Sequence, residues 1–191
     1  MRAPEEVVLT RGRVRLEPLA RQHAASLFAT CADPVVWRWL AAPAPSSVQD
    51  MEAVVAAALA DASRTAWAVL VDGVAVGSTS YLDVDLPVGG LEVGWTWYAP
   101  SVWAGPVNPT CKLLLLSHAF DALGAARVTL KTDALNTRSR GAVLRLGACY
   151  DGTLRHHRLR IDGSVRDTAY FSVLAAQWPA VRDGLLARLP D

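Results

Sequence analysis

Residues 91–133 read LEVGWTWYAPSVWAGPVNPTCKLLLLSHAFDALGAARVTLKTD. Leu91 to Tyr98 has the aromatic and β-branched content of a strand, and the flexible pair Gly89-Gly90 precedes it. Ala99 to Val107, with Pro100, Gly105 and Pro106, reads as a loop. Asn108 is then a good N-cap, and Pro109 falls at the first helical position, where its missing N–H costs nothing. The helix is expected to run to about Leu123 and to end at Gly124, with Val128 to Asp133 as the next strand. Strand, loop, helix and strand form a βαβ crossover, which places its two strands in parallel. A loop that enters a helix N-terminus also offers unpaired N–H groups and the positive end of the helix dipole, so it suits phosphate. Any βαβ unit needs such a turn, however.

Outward from this unit the pattern is antiparallel. Upstream, Thr65 to Val71 and Val74 to Leu82 flank Asp72-Gly73, a strong hairpin signal. Earlier still, Val14 and Leu16 alternate with charged residues in a short strand, and Ala20 to Leu40 shows helical spacing broken near Asp33-Pro34. Ser46 or Ser47, with Gln49 or Asp50 as capping-box partner, begins an alanine-rich helix that ends near Ser63. Downstream, Asn136 to Leu146 is a helix closed by Gly147. Ala148 to Ile161 and Val165 to Leu174 flank a second turn at Asp162-Gly163, and Pro179 to Leu189 is a terminal helix. The order predicts one α/β domain over 1–191, an α+β mixed sheet that is mostly antiparallel with one parallel crossover and flanking helices. The hairpins exclude a doubly wound parallel sheet.

Composition narrows the function. The chain has 191 residues, 52% hydrophobic and 19% charged, which is a globular balance. Nineteen basic against eighteen acidic residues leave a formal charge of +1, so there is no electrostatic reason to expect nucleic acid as a partner. The apolar runs are too short for a membrane span, and Met1 to Thr10 lacks the apolar core of a signal peptide. Three widely spaced cysteines, Cys31, Cys111 and Cys149, make no disulfide framework and fit a reducing cytoplasm. His156-His157 and Cys149 have no metal-ligand spacing, and no metal is expected. The chain contains no G-x-S-x-G, Walker loop or G-x-G-x-x-G, which leaves hydrolase, NTPase and dinucleotide readings unsupported.

Several segments resemble one family. Leu91-Glu92-Val93-Gly94-Trp95-Thr96-Trp97 followed by Pro100-Ser101-Val102-Trp103 is similar to the "(A)EIGYWL..P..W" run of the GNAT N-acetyltransferases, in their RimJ/RimL-like branch. Asn136-Thr137-Arg138-Ser139 with Leu146-Gly147 resembles that family's "N..S......LG" helix, and Tyr150 to Arg155 its "..EG.LR" strand. Arg166-Asp167 with Tyr170 to Leu174 and Trp178 resembles its closing "RD...YSLL..EW", and Arg13 to Pro18 its opening strand. The motifs span the chain in the family's order.

The resemblance implies transfer of an acetyl group from acetyl-CoA to a primary amine by direct attack. It places the pantetheine arm between the Leu91–Tyr98 and Val128–Asp133 strands, with backbone near Trp97 and Tyr98 pairing to it. The pyrophosphate is expected at the amides of Gly105, Val107, Asn108, Thr110 and Cys111, with Lys112 adding charge. The family's loop is usually glycine-rich, and here Pro106 and Pro109 each remove a donor. Asn136 is expected to fix the arm or to cap its helix. Ser139 stands where relatives use a serine to protonate the thiolate, or else it only hydrogen-bonds the helix; Val143 occupies the place of the tyrosine in other members. Glu92 is the candidate base, against the alternative of a solvated or ion-paired strand carboxylate, with Asp83 and Asp85 as runners-up. Trp37 and Trp39 either wall the acceptor site or pack the core. Arg155 to Arg160 reads as a solvated hairpin, and Cys111 would have a lowered pKa if it were exposed. The acceptor is a small-molecule or protein N-terminal amine, and a homodimer is the open question of assembly. The competing reading is a catalytically inactive GNAT-fold module that binds CoA or a protein partner. Nothing in the sequence separates acetyl from other short acyl donors.

Overall fold

The computed structural model describes residues 1–189. Leu9–Arg11 (β1) and Val14–Pro18 (β2) form a first hairpin, turning at Gly12 with φ +55°. The sequence pattern predicts β2 alone, because three residues are too few to show alternation. Ala24–Cys31 (α1) and Pro34–Trp37 (α2) are separated by Asp33, whose carboxylate caps α2 by accepting from Val35 N at 2.9 Å. Val48–Ala60 (α3) starts at Ser47, whose Oγ accepts from Asp50 N, while the Asp50 carboxylate accepts from Ser46 N. The capping box thus uses both serines.

Thr65–Val71 (β3) and Val74–Asp85 (β4) are joined by Asp72-Gly73, both at positive φ as this hairpin turn requires. Gly90–Tyr98 (β5) leads through a short 3-10 turn at Pro100–Val102 into Val107–Ser117 (α4). Helix α4 begins at Val107 with Pro106 as its N-cap, so Asn108 is inside the helix and caps nothing. The expected cap fails because the chain is already helical at Pro106 (φ −75°, ψ −12°), ahead of the residue that the side-chain signal marks. The helix widens into a five-residue π turn, His118–Ala122, before Gly124 at φ +73°. Arg127–Asp133 (β6), Thr137–Leu146 (α5), Cys149–Leu159 (β7), Val165–Leu174 (β8) and Trp178–Leu186 (α6) follow.

The eight strands form one sheet in the order β1-β2-β3-β4-β5-β6-β8-β7. All neighbours are antiparallel except β5 and β6, the pair that the crossover made parallel. Strand alternation assigns the two faces. Trp67, Thr79 and Tyr81 look toward α4, where Tyr81 OH donates to the Leu115 carbonyl at 2.5 Å. Ser78 and its partner Trp97 look the other way, where Trp97 meets Trp37 of α2 at 5.0 Å. The core is filled by Leu16, Leu27, Met51, Trp67, Leu115 and Phe171, each under 2% exposed. Among the described residues no helix is long and apolar enough to cross a membrane.

Candidate active site

The parallel ladder between β5 and β6 is short. It comprises Gly90↔Arg127, Leu91↔Val128 and Glu92↔Thr129, and then it stops. Beyond it β5 stays with β4 as far as Tyr98↔Gly77, and β6 stays with β8 as far as Asp133↔Thr168. The two strands diverge, so their facing edges carry backbone groups without a strand partner. Buried backbone groups need partners, so such an opening suits an extended ligand that pairs as a strand would. A bulge in β5 widens it. Between the pairs Ser78↔Trp97 and Ser80↔Gly94, β5 holds one residue more than β4, and Trp95 has φ +47°.

Glu92 stands at the vertex of the opening, on the last parallel pair. Its carboxylate folds over Gly94: a Cβ there would lie 2.5 Å from Oε1. From the other strand, Lys131 reaches across to Glu92 Oε2 at 2.6 Å and to Asp83 Oδ2 at 2.5 Å. The Glu92 side chain is 12% exposed and that of Asp83 66%. Burial pushes the Glu92 carboxyl above its ordinary range despite the ammonium, whereas Lys131 pulls the open Asp83 carboxyl below its own. Environments that separate two carboxylates in this way are typical of acid–base sites. Of the alternatives for Glu92, the structure shows an ion-paired, largely buried strand carboxylate beside the opening.

At the other end of the opening lies the α4 N-terminus. Thr110 N is committed to the Pro106 carbonyl at 2.9 Å, and helix geometry directs the Cys111 amide to Val107. Of the five amides expected to face phosphate, those of Gly105, Val107 and Asn108 stay outside the helical ladder, and those of Thr110 and Cys111 do not. Lys112 is a further correction. It is 8% exposed and points into the sheet, where Nζ bonds Thr96 Oγ1 at 3.3 Å, and burial lowers its ammonium to about 8. The Cys111 thiol is fully buried and pushed up to about 12, the reverse of a reactive thiol at a helix N-terminus. Tyr98, on the same face, buries a hydroxyl that has no hydrogen-bond partner among the described residues.

Asn136 caps α5, its Oδ1 accepting from Ser139 N at 3.0 Å. Asp133 orients this turn: its Oδ1 accepts from Leu135 N and its carbonyl from Asn136 N. Ser139 is half-buried, and its hydroxyl has no bond to the helix backbone among the described residues. Val143 packs against the core. Trp103 Nε1 donates to the Tyr98 carbonyl, and Arg138 lies over its ring at 3.7 Å, so α5 is tied to the loop before α4. Trp37 is 3% exposed with its Nε1–H held by the Cys31 carbonyl, which makes it a packing residue rather than a wall of the site. Trp39 is half-buried beside Arg38. The Arg155–Arg160 segment divides: Arg155, His156 and Arg158 are exposed, His157 bonds Thr168, and Arg160 pairs with the buried Asp133.

Sequence reasoning missed Lys131 and the β5 bulge. Lys131 was reachable, because alternation from the Glu92↔Thr129 pair puts it on the face of Glu92. The bulge has no signal beyond the glycine at 94.

A family model described as an acetyltransferase (GNAT) domain matches residues 13–148. A candidate acetyltransferase from T. thermophilus is 37% identical, with TM-score 0.91 and complete coverage of both chains. A GCN5-related N-acetyltransferase from Brucella melitensis is 30% identical with TM-score 0.93, over 98% of this chain and 87% of that one. Mycobacterium smegmatis RimJ, solved with CoA-disulfide, shares the fold at TM-score 0.82 and 22% identity, over 95% and 94% of the two chains. No curated protein matches the sequence.

Proposed function

This chain belongs to the GNAT acetyltransferase family, and from that premise we propose that it transfers an acetyl group from acetyl-CoA to a primary amine by direct attack. The observation that carries this reading is the divergence of β5 and β6 after Glu92↔Thr129. It opens unpaired strand edges between the Glu92 carboxylate and the free amides of the α4 N-terminus. A pantetheine arm fits the opening as an added strand along Trp97 and Tyr98, and its diphosphate meets the amides of Gly105, Val107 and Asn108.

An ammonium acceptor has to lose a proton before it can attack a thioester. Glu92, raised by burial, takes that proton, and Lys131, itself paired with Asp83, holds its carboxylate. Ser139 sits on the first turn of α5 with its hydroxyl unengaged by the helix among the described residues, and we assign it the protonation of the departing thiolate as the C–S bond breaks, the proton that the attacking nitrogen then sheds restoring the hydroxyl. Holding donor and acceptor together supplies much of the rate, as in any direct transfer between two bound partners. The motifs favour the RimJ/RimL-like branch, with a protein N-terminal or small-molecule amine as acceptor.

Thermal unfolding with and without acetyl-CoA tests the reading. Ligand at about a hundred times its Kd stabilises by about 2.7 kcal/mol, a shift of roughly 5–10 °C in a domain of this size. An amine screen with release of free CoA as readout follows. No shift at millimolar acetyl-CoA would leave a GNAT fold that has lost its cosubstrate, and Pro106 and Pro109 would be the cause to examine.

A further inference from the structure

Arg64 lies immediately before β3, on the sheet face that carries Glu92. Its Nε donates to Ser80 Oγ at 2.7 Å, and its guanidinium lies over the Trp95 ring, 5.0 Å from the centroid. Ser80 pairs with Gly94, the residue over which the Glu92 carboxylate folds, so the Arg64 anchor and the candidate base flank one position of β5. Arg13, Arg15, Arg127 and Arg160 each have a carboxylate within ion-pair distance; Arg64 has none among the described residues. The nearby Asp61 carboxylate is bonded to Ser63 N and Oγ and acts on Arg64 only as a charge beyond ion-pair distance. Burial pulls the Arg64 guanidinium down to about 10.

A half-buried guanidinium with no carboxylate in contact is costly, and an apolar side chain would cover Trp95 with less desolvation. The two terminal nitrogens have no hydrogen-bond partner among the described residues and are not sealed from solvent. Their fork matches the geometry of a carboxylate or a phosphate. Arg166 adds to the positive field of this face. It precedes Tyr170 by two alternations of β8, and its Nε is buried without a partner. The carboxylates that act on Arg166, Asp133 and Glu92, are in contact with Arg160 and Lys131 respectively.

We propose that Arg64 is a specificity-determining residue that binds an oxyanion carried by the amine acceptor. The proposal rests on the acetyl-transfer reading for the amine, but not for the anion. Transfer is measured to a series of ω-amino carboxylates, to the matching carboxamides and to the matching aminoalkyl phosphates. Binding of the N-acetylated members to the enzyme with CoA is measured by calorimetry. Both are repeated with Arg64→Gln and Arg64→Lys, after checking that acetyl-CoA still raises Tm as in the parent. A preference of about 10- to 100-fold for the charged member is expected. It should collapse in Arg64→Gln and be only partly retained in Arg64→Lys. The carboxylate and phosphate arms identify which oxyanion the site takes. Equal use of carboxylate and carboxamide by the parent overturns the proposal while leaving acetyl transfer intact, and it does so even if the variants fail to fold. Arg64-dependent binding without transfer to any amine leaves the anion site standing and removes the acetyltransferase reading. Neither binding nor transfer removes both.

Discussion

The Glu92 carboxylate occupies the space that a side chain at position 94 would take, with Oε1 2.5 Å and Leu82 Cδ1 2.7 Å from where that Cβ would be. Both atoms are ends of flexible side chains, so Gly94→Ala should fold but displace the carboxylate. Turnover should fall by about 10²-fold, the usual scale for a group misplaced by an ångström. Steady-state kinetics beside a thermal melt checks this; parent-like turnover would mean that the carboxylate position is unimportant. Glu92→Gln should lower kcat by about 10²–10⁴-fold with acetyl-CoA affinity unchanged. It should also remove the acidic limb of the pH–rate profile, because activity rises as this raised carboxyl loses its proton. A limb that persists in the variant assigns the titration to another group. Ser139→Ala should slow turnover and leave Tm near the parent value; unchanged turnover would take Ser139 out of the mechanism.

Between elements, the junction from β6 to α5 depends on one buried carboxylate. Burial alone would raise Asp133, but bonds from Arg160 at 2.7 and 3.1 Å bring it below the ordinary range. The Asp133 side chain is 1% exposed, and its Oδ1 also holds the turn that presents Asn136. Arg160→Ala removes the guanidinium bonded to this carboxylate and should destabilise the fold. Denaturant unfolding measures it, and adding Asp133→Asn should recover part of the loss. No measurable loss would show that water replaces the guanidinium. The pair also explains why the basic run Arg155–Arg160 is not a uniformly solvated hairpin: its last arginine is the counter-ion of another element.

For the whole molecule, the buried Lys112 ammonium couples stability to pH. Its pKa falls from 10.5 to about 8 on folding, so between these values the unfolded chain binds more protons than the folded one. Stability from this group therefore rises with pH across about 8–10.5. The Cys31 and Cys111 thiols work against it. They are raised to about 11 and about 12, so the unfolded chain loses their protons first and stability falls with pH above about 9. The difference between Lys112→Met and the parent isolates the lysine. The variant should be the more stable at about pH 7, and its advantage should shrink as pH rises toward about 10. An advantage that does not change with pH would show that the ammonium is solvated in the folded protein.

Element types and their order were legible in the chain because they rest on local rules. Asp72-Gly73 gives its hairpin through positive φ at both residues, and Gly147 at φ +101° ends α5. The parallel pair follows from one βαβ crossover among hairpins. The Asn136 cap was legible for the same local reason; the Asn108 cap was not, since the backbone before α4 had already turned helical at Pro106. The sequence by itself thus determined which long strands exist, which of them run parallel, and that Glu92 lies on the strand beside the crossover. Only the tertiary structure decided where β5 and β6 part, that Lys131 bridges Glu92 and Asp83, and that Lys112 and Cys111 point inward rather than toward phosphate. The reason is physical. Periodicity and capping act over a few residues, whereas a bulge, an ion pair between strands or the burial of a charge depends on groups far apart in the chain, which become neighbours only once the sheet has formed.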